Sequence, residues 1–180
     1  MTRMQSIRSF RISTSAPHAI AILEQIVSTV RRPELEQAIG ELYELSGHHN
    51  MALQWERRAS AAYLESAKRG EVHYYHHLSD YYSDVAKDGR AAIEWAYKDL
   101  GLRENFATQG AHAWAFYRDG QAGEAVHWID CALASSAVDS RLSYRAGRIF
   151  RAAGNKAKGG EHLERAMQLN PAVAHFHLHH

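Results

Sequence analysis

Five side chains in the stretch EVHYYHHLSDYYSD carry metal-binding chemistry: His73, His76, His77, Asp80 and Asp84. On a helix turning about 100° per residue they fall within roughly 100° of arc, with Tyr74, Leu78, Tyr82 and Val85 on the other side. Imidazoles one turn apart, followed by carboxylates, can coordinate a divalent transition metal from one helix face. The plainer reading is a polar wall whose side chains are solvated or hydrogen bonded. There is no HExxH or comparable catalytic spacing. The terminal HFHLHH adds His175, His177, His179 and His180, which can bind metals adventitiously.

A second group offers anion recognition. RLSYRAGRIFRAAG spaces Arg141, Arg145, Arg148 and Arg151 four, three and three residues apart. They share one helical arc, opposite Leu142, Ala146, Ile149, Phe150 and Ala153. No acid occurs between Ser140 and Gly160 to neutralise them locally. A guanidinium is a planar fork of donors that matches a carboxylate and stacks on aromatic rings. Trp114, Tyr117 and Arg118 supply aromatic and basic groups one helix pair earlier. PELEQAIGELYEL, near the start, has Glu34, Glu36, Glu41 and Glu44 and no base.

These groups need helices to position them, and the turn signals define the helices. ELSGHHNMA, VAKDGRAAI, YRDGQAGEA and RAAGNKAKGG each place a glycine between two helical patterns, at Gly47, Gly89, Gly120 and Gly154. Gly120 and Gly154 lie 34 residues apart. Before each turn stands a small residue (Gly40, Ser79, Ala113, Gly147) with an aromatic three further on (Tyr43, Tyr82, Phe116, Phe150). The small residue lets a second helix approach, and the aromatic fills the gap beside it. Such pairs bury their apolar faces only by stacking on neighbours.

The pattern resembles the tetratricopeptide repeat (TPR) family. The quoted matches are AGRIFRAAGNKAKGGEHLERAMQLNP through Gly147, Phe150, Gly154, Ala166 and Pro171, and HAWAFYRDGQAGEAVHWIDCAL through Ala113, Phe116, Gly120, Ala125 and Ala132. IGELYELSGHHNMALQWERRAS matches through Gly40, Tyr43, Gly47, Ala52 and Ala59. Residues 72–100 match more loosely, with Asp99 where an Ala belongs, and Gly159 also replaces an Ala. Some stretches resemble bacterial TPR-containing proteins of unsettled function. The resemblance implies an all-α fold, an α-solenoid of about four helix-turn-helix pairs with an N-terminal capping helix. It also implies that the first helix of each pair lines a groove. The Lys and Asn clamp by which some family members hold a chaperone peptide is absent: Gln37, Glu41, His76, Asp80, Gly110, Trp114, Tyr144 and Arg148 occupy the matching positions.

The expected organisation is a flexible basic arm at 1–15 with Arg3, Arg8 and Arg11, and a helix at 16–32 with Ser15 as N-cap and Pro17 in its first turn. A repeat domain follows at 33–173 (repeats about 33–68, 70–104, 105–138 and 139–173), then a His-rich tail at 174–180. Within it, helices are expected at 72–87 and 89–101. A balance of 21 basic and 20 acidic residues gives no global reason to expect nucleic acid. No apolar run is long enough to insert in a membrane, and the first residues lack the apolar segment of a secretory signal. The lone Cys131 cannot form an internal disulfide. No nucleophile–base–orienter set stands out.

The functional expectation is a non-catalytic, cytoplasmic protein–protein interaction scaffold. It receives another protein or an acidic peptide in its groove through Arg141, Arg145, Arg148, Arg151, Trp114, Tyr117 and Arg118, whose donors are free for that partner. No cofactor is expected, and self-association is compatible with this reading. The alternative is a metal-binding or metal-responsive module in which His73, His76, His77, Asp80 and Asp84 hold a divalent transition metal.

Overall fold

A computed structural model of the chain describes residues 2–174, with side chains from Ala16 onward. Of the His-rich tail expected at 174–180, residues 175–180 lie outside the described residues. All regular structure among them is helical: α1 (Thr2–Thr29), α2 (Pro33–Leu45), α3 (His49–Lys68), α4 (Tyr75–Asp84), α5 (Gly89–Leu102), α6 (Phe106–Arg118), α7 (Ala122–Leu133), α8 (Ser140–Ala152) and α9 (Lys156–Leu169). These are four helix-turn-helix pairs preceded by one helix, as the repeat spacing predicts. They fall into two compact units, one built from residues 1–65 and one from residues 66–174.

In the first unit α1 packs on α2, joining Ile20 and Val27 to Ile39 and Leu42, with Leu23, Tyr43 and Trp55 partly buried around them. Gly40 lets α2 approach α3: a Cβ there would lie 2.9 Å from Glu56 Cγ and 3.3 Å from the Ala52 carbonyl oxygen. The first helix differs from the expected one at its start. It begins at Thr2, so residues 2–15 of the expected flexible arm are helical, Ser15 lies within the helix rather than ahead of it, and Pro17 sits in the helix interior. Proline there removes one backbone hydrogen bond.

In the second unit α4 pairs with α5, α6 with α7 and α8 with α9, while α4, α6 and α8 lie side by side. Side chains start several of these helices where the chain must turn. Asn105 accepts from the Ala107 and Thr108 amides while Thr108 answers the Asn105 amide. Asp88, Asp139 and Asn155 cap α5, α8 and α9. The last two pairs share a core of Ala113, Ala125, Ile129, Leu142, Ala146, Ile149 and Phe150. Because this core takes the apolar stripe of α8, its arginines must lie elsewhere on the helix.

Two glycines have other roles than the sequence suggested. The left-handed residue between α4 and α5 is Lys87 (φ 57°), not Gly89. Gly89 is instead the first residue of α5, where a Cβ would lie 2.6 Å from the Asp119 backbone. Gly159, at a position where the repeat pattern expects Ala, faces Gly147: a Cβ on it would come within 2.8 Å of the Gly147 carbonyl oxygen. The α8–α9 crossing is too close for alanine there.

Candidate functional site

The site forms on the face that α4, α6 and α8 turn away from the shared core. Asp80 and Asp84 come from α4, Trp114, Tyr117 and Arg118 from α6, and Arg141, Tyr144, Arg145 and Arg148 from α8. Helical spacing explains the assembly. Asp80 and Asp84 are one turn apart, as are Trp114 and Arg118, and Arg141, Arg145 and Arg148 climb one side of α8.

The arginines do not all wait for a partner. Arg145 is buried, with only 7% of its surface exposed, and donates to Asp80 Oδ1 at 2.5 Å. Arg141 reaches the other oxygen of the same carboxylate at 3.4 Å. The two contacts span 65 and 61 residues of sequence. The expectation that their donors are free is therefore corrected: Asp80 on α4 supplies the acid that the α8 segment lacks. Two buried opposite charges at this distance compensate a desolvation cost that either alone would bear in full.

Trp114 is the centre of the face but is not open to a ligand, being only 5% exposed. Its indole N–H donates to both oxygens of Asp84 at 3.1 Å. The Tyr117 ring lies 4.8 Å away and the Tyr144 ring 6.2 Å. The Arg118 and Arg145 guanidinium groups each stand 5.9 Å from the indole ring. Arg118 also donates to the Ser83 carbonyl at 2.7 Å and pairs with Asp84 at 3.6 Å.

Arg148 is different. It is exposed, and its donors approach only phenol oxygens, Tyr144 at 3.4 Å and Tyr117 at 3.5 Å. Those phenols hold its pKa above the ordinary arginine value, the Tyr117 hydrogen bond being the main cause. No carboxylate among the described residues neutralises it. Arg151 does not belong to this face. It lies against Gly159 of α9.

The metal set does not come together. His73 precedes α4 and lies in a turn, so it does not share the helical arc. His77 is buried, its ring 4.0 Å from that of His76 and 5.8 Å from that of Tyr74. Asp80 and Asp84 are held by arginines and an indole. His76 faces the Arg103 guanidinium at 3.4 Å, and burial lowers its pKa despite nearby Asp80 and Asp99. Among the described residues no group of three or more His, Cys, Asp or Glu is arranged to hold a metal.

The acids of α2, in the first unit, are also engaged. Glu36 is buried and accepts from Arg58 at 2.9 Å, Glu34 pairs with Arg32 at 3.3 Å, and Glu44 meets His49 at 2.8 Å. Glu41 accepts from Gln37 at 3.2 Å.

Sequence reasoning missed two buried groups. Asp99 is 2% exposed, paired with Arg103 at 3.1 Å, with its Oδ2 unpartnered and its pKa raised by desolvation. An acid at a repeat position that packs a small residue, with Arg four residues on, was the available signal. His112 is 3% exposed with an unpartnered Nδ1, and burial lowers its pKa to about 4. Phe116 and Trp128 rings each stand 4.8 Å from it. Nothing in the repeat pattern marks it.

No protein-family model matches the chain, and no curated protein sequence matches it. Solved structures do. One is a Podosopora anserina protein assigned as a kinesin light chain, made of nearly identical TPR-like repeats. It is 20% identical, with a TM-score of 0.52 over 96% of this chain and 95% of that one. Another, MamA MSR-1 C2, is 16% identical with a TM-score of 0.47 over 92% and 98% of the two chains, too distant to carry an argument. No helix among the described residues is long and apolar enough to cross a membrane. With its described residues forming helix pairs in this order, and a solved TPR-like neighbour along almost its whole length, the chain has the fold of tetratricopeptide-like helical repeats.

Proposed function

We propose that the protein is a non-catalytic interaction scaffold that receives an acidic segment of a partner protein on the α4–α6–α8 face. Repeat folds of this kind serve generally in protein–protein interaction, which supports the coarse reading. The observation that carries the finer one is Arg148. It is a full positive charge at the surface, oriented by two tyrosines and matched by no carboxylate among the described residues. Arginine and tyrosine are enriched at the centres of protein interfaces. A carboxylate approaching Arg148 gains a charge-assisted pair of hydrogen bonds, and the flanking rings exclude water from it. The setting proposed is cytoplasmic, in keeping with a single Cys131 that has no internal partner.

Peptide display tests this reading. Random peptides selected on the folded protein should be enriched in Asp or Glu, and they should lose binding to Arg148→Glu while the variant keeps its helicity and melting temperature. Selected peptides without acids, or equal binding to the charge-reversed variant, would remove the reading.

A further inference from the structure

We infer that the α4–α6–α8 face takes a phosphomonoester, the phosphorylated side chain of a partner segment, in a cradle made by the Arg148 guanidinium and the Tyr117 and Tyr144 hydroxyls. This rests on the function proposed above and names the acid that the site fits.

Helical register builds the cradle. Tyr144 and Arg148 stand one turn apart on α8, and the packing of α6 on α8 brings Tyr117 to the guanidinium as well. Nη1 of Arg148 donates toward the Tyr144 hydroxyl oxygen at 3.4 Å, and Nη2 toward that of Tyr117 at 3.5 Å. The phenols are fixed before any ligand arrives. Asp84 holds the Trp114 indole N–H, and the Tyr117 and Tyr144 rings lie 4.8 Å and 6.2 Å from that indole. Both tyrosines are half-buried while Arg148 is exposed, so the cradle opens at the surface.

The donors decide the ligand. A guanidinium carries five N–H donors, and the phenols take up two of them. Each phenol oxygen accepts from Arg148, so its own hydrogen is left to donate, and neither hydroxyl has an acceptor among the described residues. N–H and O–H donors of three side chains therefore meet at one place. A carboxylate, with two oxygens, is matched by the guanidinium fork alone and leaves the phenols unused. A phosphomonoester brings three terminal oxygens and nearly two negative charges, enough for the fork and both hydroxyls together. Behind Arg148, Asp80 is one carboxylate shared by Arg141 and Arg145, which leaves that cluster net positive and favours the more highly charged anion. Trp114 is too buried to stack on a base, so a protein segment suits the face better than a nucleic acid.

The experiment uses pools of blocked decapeptides with neutral flanks whose central residue is Ser, Glu, phosphoserine or phosphotyrosine. Each pool is titrated against the full chain by fluorescence anisotropy. On the wild type a phosphorylated pool should bind about tenfold or more tighter than the Glu pool, the range of added hydrogen bonds to a charged group. Tyr117→Phe with Tyr144→Phe keeps both rings beside Trp114 and removes only the hydroxyls. In that variant the preference should fall to about twofold, with the Glu pool changed by less than about threefold.

If neither phosphorylated pool binds better than the Glu pool, or if the preference survives loss of the two hydroxyls, the phosphoryl cradle is wrong while the acidic-partner reading stands. Inorganic phosphate or a single-stranded oligoribonucleotide bound as tightly as the phosphorylated pools would also overturn it, since the site would then take a free anion or a nucleic acid. If neither Glu nor a phosphoryl group improves on Ser, the acidic-partner reading itself falls, and this inference with it.

Discussion

A single buried imidazole sets one measurable property of the chain. His112 sits among Phe116, Trp128 and Tyr97 rings, with no charged group paired to it and its Nδ1 unsatisfied. Desolvation lowers its pKa from an ordinary 6.5 to about 4. Between those values the unfolded chain binds a proton that the folded chain refuses, so stability falls as pH falls from about 6.5 toward 4, by up to about 1.4 kcal/mol per pH unit. Below about 4 this contribution levels off, because both states are protonated. Burial lowers His76 and His162 as well, so they add to the slope with the same sign. His112→Leu should flatten most of the dependence in urea titrations at stepped pH. A slope identical to the wild type would mean that His112 is protonated inside the fold. At this scale the sequence was least informative. Arg145 and Asp80 were both singled out, but for different chemistries, because neither residue's own helix contains the other. An ion pair across 65 residues leaves no local signature, and it consumed one candidate site in satisfying the other.

Helix pairs were the most legible part of the chain. Small residue, aromatic three on, glycine and then a second small residue reproduce the geometry of a close crossing, and the predicted pairs match the observed ones at α2–α3, α6–α7 and α8–α9. The second pair shows where local signals mislead: α4 is only Tyr75–Asp84, which leaves His73 outside it. Gly159 shows the opposite case, a departure from the repeat pattern that marks a tighter contact. With Gly147 across from it, α8 and α9 meet backbone to backbone over two glycines. Gly159→Ala adds helix propensity worth about 1 kcal/mol, yet forces its methyl against a carbonyl and Arg151. The expected result is net destabilisation of about 1–3 kcal/mol, and Gly147→Leu, which strikes Leu163, should be at least as costly. Chemical denaturation midpoints at or above wild type for Gly159→Ala would show that the crossing can relax.

Repeat arrays are held by contacts between adjacent repeats, and their stability is nearly a sum over neighbours. The second unit departs from that rule, since Asp80 of α4 bonds Arg141 and Arg145 of α8 past the intervening α6. Arg145→Leu should therefore loosen two separated elements at once. Amide exchange followed by mass spectrometry should accelerate in α4 as well as in α8, and acceleration confined to α8 would mean that the ion pair does not couple them. Such coupling also sets the copy number of the array. In a purely neighbour-bonded array one unit can be excised or duplicated and the chain closes up around the change. Here, excising the 34 residues of the third repeat would set Asp80 one repeat from its arginines instead of two, and inserting a copy would set it three away. With the insertion the buried charges would be carried beyond the two-repeat reach that Asp80 shows here, so this stretch of chain should resist duplication of a repeat.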